Sequence, residues 1–255
     1  MLRSVYPLFM RSICCAVAAL ALPAFADDTV YSTGDPFGGP MGVTGFDIHP
    51  GLSAAIRFQP AQDCTLTSVS LWLMSHTPAG TDVSPTLALS LRADALTTHG
   101  VTGPAPSPLH NWLIQTDPTP YTPERYDLTA EAAVQLEVGR SYWIVAESTN
   151  PLGHNPIWTW SGQHTGYIAL RNSSGQWDCD PGIALTVEVR ATPACSADFD
   201  NDGDSATDAD IESFFACLAG HCCQTCQTAD FNHDGDTATD ADIESFFRVL
   251  AGGAC

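Results

Sequence analysis

From Asp27 to about Thr192 the chain alternates apolar and polar residues with a period of two. The pattern runs through "TLTSVSLWLM" (65–74), "TLALSLRA" (86–93), "SYWIVAES" (141–148), "PIWTWSG" (156–162), "GYIALRN" (166–172) and "IALTVEVRA" (183–191). Successive side chains of a strand point to opposite faces, so this period marks strands with one buried face. The runs are short, rich in β-branched and aromatic residues, and punctuated by Pro, Gly, Asn and Asp, the grammar of an all-β domain. "TAEAAVQL" (129–136) reads as one helical turn or a capped strand, and "VTGPAPSP" (101–108) as a surface loop. The pattern predicts a mainly β fold, a jelly-roll-like β-sandwich over residues 27–192, long enough to bury its own core.

The period changes after the hinge-like "RATPACSAD". Ile211, Phe214, Phe215 and Leu218 recur at i, i+3, i+4 and i+7, and Ile243, Phe246, Phe247 and Leu250 repeat the stripe. Two short helices are expected, packed stripe to stripe about a pseudo-twofold axis. Gly220 and Gly252 stand where a helix C-terminus wants glycine. Residues 193–255 thus read as a separate small α-helical domain, of a size at which a hydrophobic core alone is marginal.

Each helix is preceded by the same acidic phrase, "ADFDNDGDSATDAD" from Ala197 and "ADFNHDGDTATDAD" from Ala229. Crowded carboxylates repel unless a cation lies between them. Asp198, Asp200 and Asp202 occupy positions 1, 3 and 5 of a calcium loop, and Gly203 the sharp bend at position 6. Asp230, Asn232, Asp234 and Gly235 match them in the second copy. An all-oxygen donor set suits a hard cation, so two calcium ions are expected. Asp204 and Asp236 fall at position 7, where a backbone carbonyl usually binds. An EF-hand loop closes with an acid at position 12; here the acids Asp210 and Asp242 come one residue later, as if each loop had an insertion. Asp208 and Asp240 are either further ligands or helix N-caps. "TPACSA" before the first loop cannot form a helix, so each unit is a loop plus exit helix, half an EF-hand.

Composition narrows the class. The formal net charge is −20, and the nine basic residues are all arginine. Such a chain is a poor partner for nucleic acid or anionic lipid, which require cationic patches. Arg3 and Arg11 precede the apolar "ICCAVAALAL", and "AFA" (24–26) offers a small-x-small cleavage site. Residues 1–26 therefore read as an export signal, too short in its apolar run to span a bilayer, which implies an extracellular or cell-surface protein. Cys14 and Cys15 leave with it, and the eight remaining cysteines are expected to form disulfides in an oxidising compartment. Six of them allow fifteen pairings. Alignment of the repeats suggests Cys195–Cys223 and Cys226–Cys255, with Cys217–Cys222 as a local clip and Cys64–Cys179 stapling the sandwich.

Two loop–helix halves at this spacing resemble dockerin domains. The cysteine framework and the "AGGAC" ending are similar to the GC-type dockerin anchor of bacterial surface proteins, over residues 195–255. The resemblance implies calcium binding and a docking or anchoring role; the extra loop residue departs from cellulosomal dockerins and bears on the outer ligands. Through "LTSVSLWL", "LEVGRSYWIVAE", "WTWSG", "GYIAL" and "GQW", the N-terminal part resembles the choice-of-anchor β-sandwich domains. That resemblance speaks to location rather than chemistry.

Trp158 and Trp160 alternate on one strand face near His154, His164 and Trp177. They read as a platform for sugar rings or as core, and core is the favoured reading because large aromatics dominate burial. Glu124, Asp127, Glu137 and Glu147 belong to no glycosidase-like arrangement visible in sequence, and Ser161 in "WSGQH" lacks a nucleophile elbow. The chain therefore reads as an exported non-catalytic protein. Its dockerin-like domain is expected to attach a β-sandwich module to an extracellular protein partner or surface anchor, with no transmembrane segment in the mature chain. The alternative is a secreted polysaccharide-active enzyme or carbohydrate-binding module carried on a dockerin.

Overall fold

The computed structural model describes residues 28–39, 42–76, 84–96, 102–117 and 119–253. The expected export signal, with Cys14 and Cys15, and Cys255 lie outside them. The described strands are β1 (Asp28–Ser32), β2 (Gly45–Asp47), β3 (Leu52–Phe58), β4 (Cys64–Ser75), β5 (Thr86–Leu96), β6 (Thr102–Gln115), β7 (Glu124–Leu136), β8 (Tyr142–Glu147), β9 (Pro156–Asn172), β10 (Trp177–Leu185) and β11 (Glu188–Pro193). Two helices follow, α1 (Asp208–Leu218) and α2 (Asp240–Leu250). Neither is long and apolar enough to cross a membrane.

The strands form one antiparallel sheet in the order β1-β11-β4-β9-β3-β8-β5-β6, with β7 added to β4, and β2 and β10 added to β9. The long strand β9 links its two halves. Ile157 pairs with Met74 of β4, whereas Ile168, eleven residues on, pairs with Ile56 of β3. The sheet therefore curls, and both halves face one core. Leu66, Val69, Leu71 and Leu73 of β4 meet Leu87, Leu89 and Leu91 of β5 and Tyr142, Ile144 and Ala146 of β8 in a single buried cluster. Gly162 permits the close crossing of residues 35–39 over β9, because a Cβ there would lie 2.3 Å from the Phe37 carbonyl oxygen.

Several expectations are corrected. "PIWTWSG" and "GYIALRN" are one strand, not two, and "IALTVEVRA" divides between β10 and β11. The proline-rich stretch read as a loop is the first part of β6, in which Pro104 and Pro108 sit opposite Asp94 and Arg92. Strand β6 lies at the end of the sheet order, where a residue without an N–H breaks no ladder. Of the two alternatives for "TAEAAVQL", the strand is the one observed, as the end of β7. Strand β3 escaped the periodicity because it is central: Ala54, Ala55 and Ile56 are all fully buried, so both of its faces are apolar.

The two faces also decide the fate of the expected Cys64–Cys179 staple. Cys64 belongs to the main core, whereas Cys179 packs with Ala55, Trp143, Val145 and Ala169 on the opposite side of the sheet. The sheet separates them, and Cys64 is a free, buried thiol.

In the C-terminal region, α1 and α2 end alike. Gly220 (φ +84°) donates to Cys217 and His221 to Ala216; Gly252 (φ +81°) donates to Val249 and Gly253 to Arg248. This is the paired hydrogen bonding of a Schellman cap, whose left-handed residue is best supplied by glycine. The helices meet through Phe214 and Phe246, stacked with centroids 4.0 Å apart. Phe199 and Phe231, the second residues of the two acidic loops, complete the buried cluster. The arrangement is twofold in its distances: Phe199–Phe214 and Phe231–Phe246 are both 5.2 Å, and Phe199–Phe246 and Phe214–Phe231 both 5.8 Å. Phe215 and Phe247, expected inside, are 45% and 46% exposed; they meet each other and the edges of Phe214 and Phe246 at the margin of the core.

The disulfides differ in part from expectation. Cys217–Cys222 forms, but Cys223 pairs with Cys226, which rules out both long-range pairs suggested by repeat alignment. With Cα atoms 5.1 Å apart across two intervening residues, local closure meets disulfide geometry directly. Cys195 is also disulfide-bonded.

Candidate metal centre

The two acidic loops have the same hydrogen-bond plan. Asp198 accepts from the amides of Asp202 and Gly203, both at 3.1 Å; Asp230 accepts from Asp234 and Gly235, both at 3.1 Å. Asp200 and Asn232 accept from the same Asp202 and Asp234 amides, and Asp202 and Asp234 each accept from the residue two further on. The backbone bends through left-handed residues at matching places: Asn201 and His233 (φ +57°), Gly203 (φ +99°) and Gly235 (φ +92°), and Ala206 and Ala238 (φ +59°). Alanine pays for that conformation; it is held by the amides of Ala206 and Ala238, which donate to the carbonyls of Ala197 and Ala229. This turn accommodates the extra loop residue.

The acids expected to close the loops are placed differently from an EF-hand's last ligand. Asp210 is fully buried at the third position of α1. Its Oδ1 accepts from the amides of Phe199 (2.6 Å) and Asp200 (3.4 Å), and its Oδ2 from the amide (2.8 Å) and hydroxyl (2.9 Å) of Thr207. Asp242 repeats this with Phe231, Asn232 and both groups of Thr239. A carboxylate has about four lone-pair sites, so four donors occupy both oxygens. Asp210 and Asp242 clasp the loop to the helix through these bonds. The N-caps are Thr207 and Thr239, so Asp208 and Asp240 are exposed first-turn residues and not caps. There they favour the positive end of the helix dipole.

Carboxylate oxygens of Asp198, Asp200 and Asp202 lie within 4.8 Å of one another. Calcium binds oxygens at about 2.3–2.6 Å, so two ligands of one ion lie at most about 5 Å apart. The cluster fits that limit. The pKa of Asp200 is raised by loss of hydration, then by the charges of Asp202, Asp210 and Asp198. In the second loop Asn232 replaces one carboxylate and donates to Asp234 at 2.8 Å. The pKa of Asp234 is lowered, by the Asp236 amide and then by this bond. For Asp210, burial raises the pKa, but the hydrogen bonds from Thr207, Phe199 and Asp200 outweigh it and the net shift is downward.

Residues that sequence reasoning passed over support the loops. Gln227, between the repeats, donates from its side chain to the carbonyls of Asp198 (2.8 Å) and Ser196 (3.2 Å) and from its amide to Phe199 (2.9 Å). The strict repetition of Phe199 and Phe231 was the signal available for their place in the core.

Elsewhere, Trp158 is 0% exposed and donates its indole N–H to the Thr186 carbonyl. Trp160 packs edge-on against Phe46 beside the same core. Trp158 is thus core, the reading favoured for the pair, and Trp160 is partly buried beside it. Glu124 accepts from Tyr126, Asp127 pairs with Arg125, Glu137 with Arg140, and Glu147 with both Arg92 and Arg171. The Ser161 hydroxyl donates to the Thr33 carbonyl. No protein-family model matches the chain, and comparison with curated proteins gives no match.

Proposed function

We propose that this is an exported, non-catalytic protein whose C-terminal region is a dockerin-like calcium-binding domain. In this reading residues 193–255 attach a jelly-roll-like β-sandwich, residues 27–192, to an extracellular protein partner or surface anchor. The observation that supports it is the identity of the two acidic loops: the same oxygens, the same amide donors and the same left-handed bends, 32 residues apart, each feeding a capped helix. Asp198, Asp200 and Asp202 would hold one calcium ion; Asp230, Asn232 and Asp234 the other. Asp204 and Asp236 flank them at position 7, and Asp210 and Asp242 act as clasps. A bound divalent ion would cancel the repulsion within each cluster and stabilise only the folded loop, by RT ln(1 + [L]/Kd). The first site, with three carboxylates against two, gains more from the ion. Calorimetric titration of the full chain should show two calcium ions bound, and Asp202→Ala should remove one and spare the other. Absence of calcium uptake would defeat the proposal.

A further inference from the structure

On the sheet face that carries the small Trp143 cluster, arginines gather although the chain has only nine basic residues. Strand register places Arg57 and Arg92 on either side of Trp143, and Arg171 between Ser53 and Trp177. The Arg57 guanidinium lies 4.2 Å over the Tyr167 ring and that of Arg171 lies 4.9 Å over Trp177. Glu147 takes Arg92 on one oxygen, at 2.7 Å, and Arg171 on the other. Arg92 is 8% exposed and its Nε is spent on Ser90. Two guanidiniums thus share one carboxylate, and among the described residues no second carboxylate pairs with either. A second carboxylate on this face, Asp94, accepts from the Trp143 indole.

Beside this pair is an open groove of about 450 Å³, within the range of small-ligand sites. Arg171, Glu147 and the exposed Thr149 line it; of its other hydroxyls, Ser53 already accepts from Arg171, Thr86 donates to Asn150 and Ser148 donates to the Thr86 carbonyl, so what they offer a ligand is lone pairs. The chemistry is that of a planar cation already oriented by a carboxylate and an aromatic ring, within a wall of hydroxyls. An arginine fork matches a carboxylate in plane, and the lone pairs left on the Thr86 and Ser148 hydroxyls can accept from the O–H groups of a polyol. The overall charge of −20 opposes the approach of a polyanion, so the groove suits one carboxylate among neutral hydroxyls.

We infer that this groove binds a single uronic-acid residue of a glycan, its carboxylate on Arg171 and its hydroxyls among Ser53, Thr86 and Ser148. The site is independent of the calcium loops, so its test uses the full chain with calcium chelated. Calorimetry compares an oligosaccharide ending in glucuronic acid with a neutral oligosaccharide of equal length and with sodium sulfate. The uronate should bind more tightly than the neutral sugar by about ten- to a hundredfold, the worth of one charge-assisted hydrogen bond. Arg171→Gln should remove that preference. Thr149→Asp, which leaves every pairing of Arg171 in place and so answers for a misfolded Arg171→Gln, should weaken the uronate by about fivefold through like charge at the rim. Equal affinity for the neutral sugar, equal competition by sulfate, indifference to Thr149→Asp, or no uronate binding would each overturn the inference.

Discussion

Replacing Asp210 by Asn separates a clasp from a calcium ligand. The asparagine oxygen can still accept from Phe199 and Asp200, but as a neutral group, and its NH₂ then faces the Thr207 amide and hydroxyl, which now donate to Asp210 Oδ2 at 2.8 and 2.9 Å. Two charge-assisted bonds are weakened, and the Thr207 amide is left facing another donor. Weakening the two bonds to Oδ1 costs together on the order of 1–2 kcal/mol and leaving the Thr207 amide against a donor about the same again, so the substitution should cost about 2–4 kcal/mol. A unit of about 60 residues has roughly 3–9 kcal/mol of stability in all, and its helical melting point should fall by about 10 °C or more. The assay is the 222 nm circular dichroism melt of the full chain in chelator. All six tryptophans lie between Trp72 and Trp177, so tryptophan fluorescence follows the β region separately and should not change. A ligand role gives the opposite pattern. Asp210→Asn would then leave the melt in chelator unchanged, or raise it by removing a repelling charge, and would lower only the calcium affinity. That outcome would refute the clasp.

Three further outcomes follow from the packing. Phe214→Ala should cost the helical region about 3–5 kcal/mol, whereas Phe215→Ala, at a half-exposed position, should cost less than about 1 kcal/mol; equal effects in the same melt would contradict the placement of the two rings. Cys64, its pKa pushed up to about 11 by burial and then by the charge of Asp63, should resist iodoacetamide at pH 8 in the native protein and react once the chain unfolds, as mass spectrometry would show. Because the thiolate is the reactive form, native labelling should rise only as pH approaches that value. Non-reducing peptide mapping should recover Cys217–Cys222 and Cys223–Cys226; a Cys195–Cys223 peptide would contradict the local pairing.

The sequence by itself determined what depends on short range. A period of two marked β4, β5, β8 and the two ends of β9 because side chains alternate along any strand. A spacing of three and four marked both helices, and Gly220 and Gly252 marked their ends, because only glycine takes the left-handed cap without cost. The position of Asp198, Asp200 and Asp202 around Gly203 was enough to bring three carboxylates into one turn. The tertiary structure decided what depends on partners far along the chain. Phe214 and Phe215 are equally apolar neighbours, and only the approach of the second helix selects Phe214 for the core. Asp210 could be placed after the loop by counting, but whether it faces an ion or the amides of Phe199 and Asp200 depends on how the loop folds back on the helix. Cys64 and Cys179 look alike in the sequence, yet a sheet lies between them. Prolines 104 and 108 were legible as a loop until the strand order put β6 at an edge. Arg92 and Arg171 are 79 residues apart in sequence and meet on Glu147 through the register of β5, β8, β3 and β9. A period tells which residues share a face; pairing and register, set by the whole chain's burial, tell what that face meets.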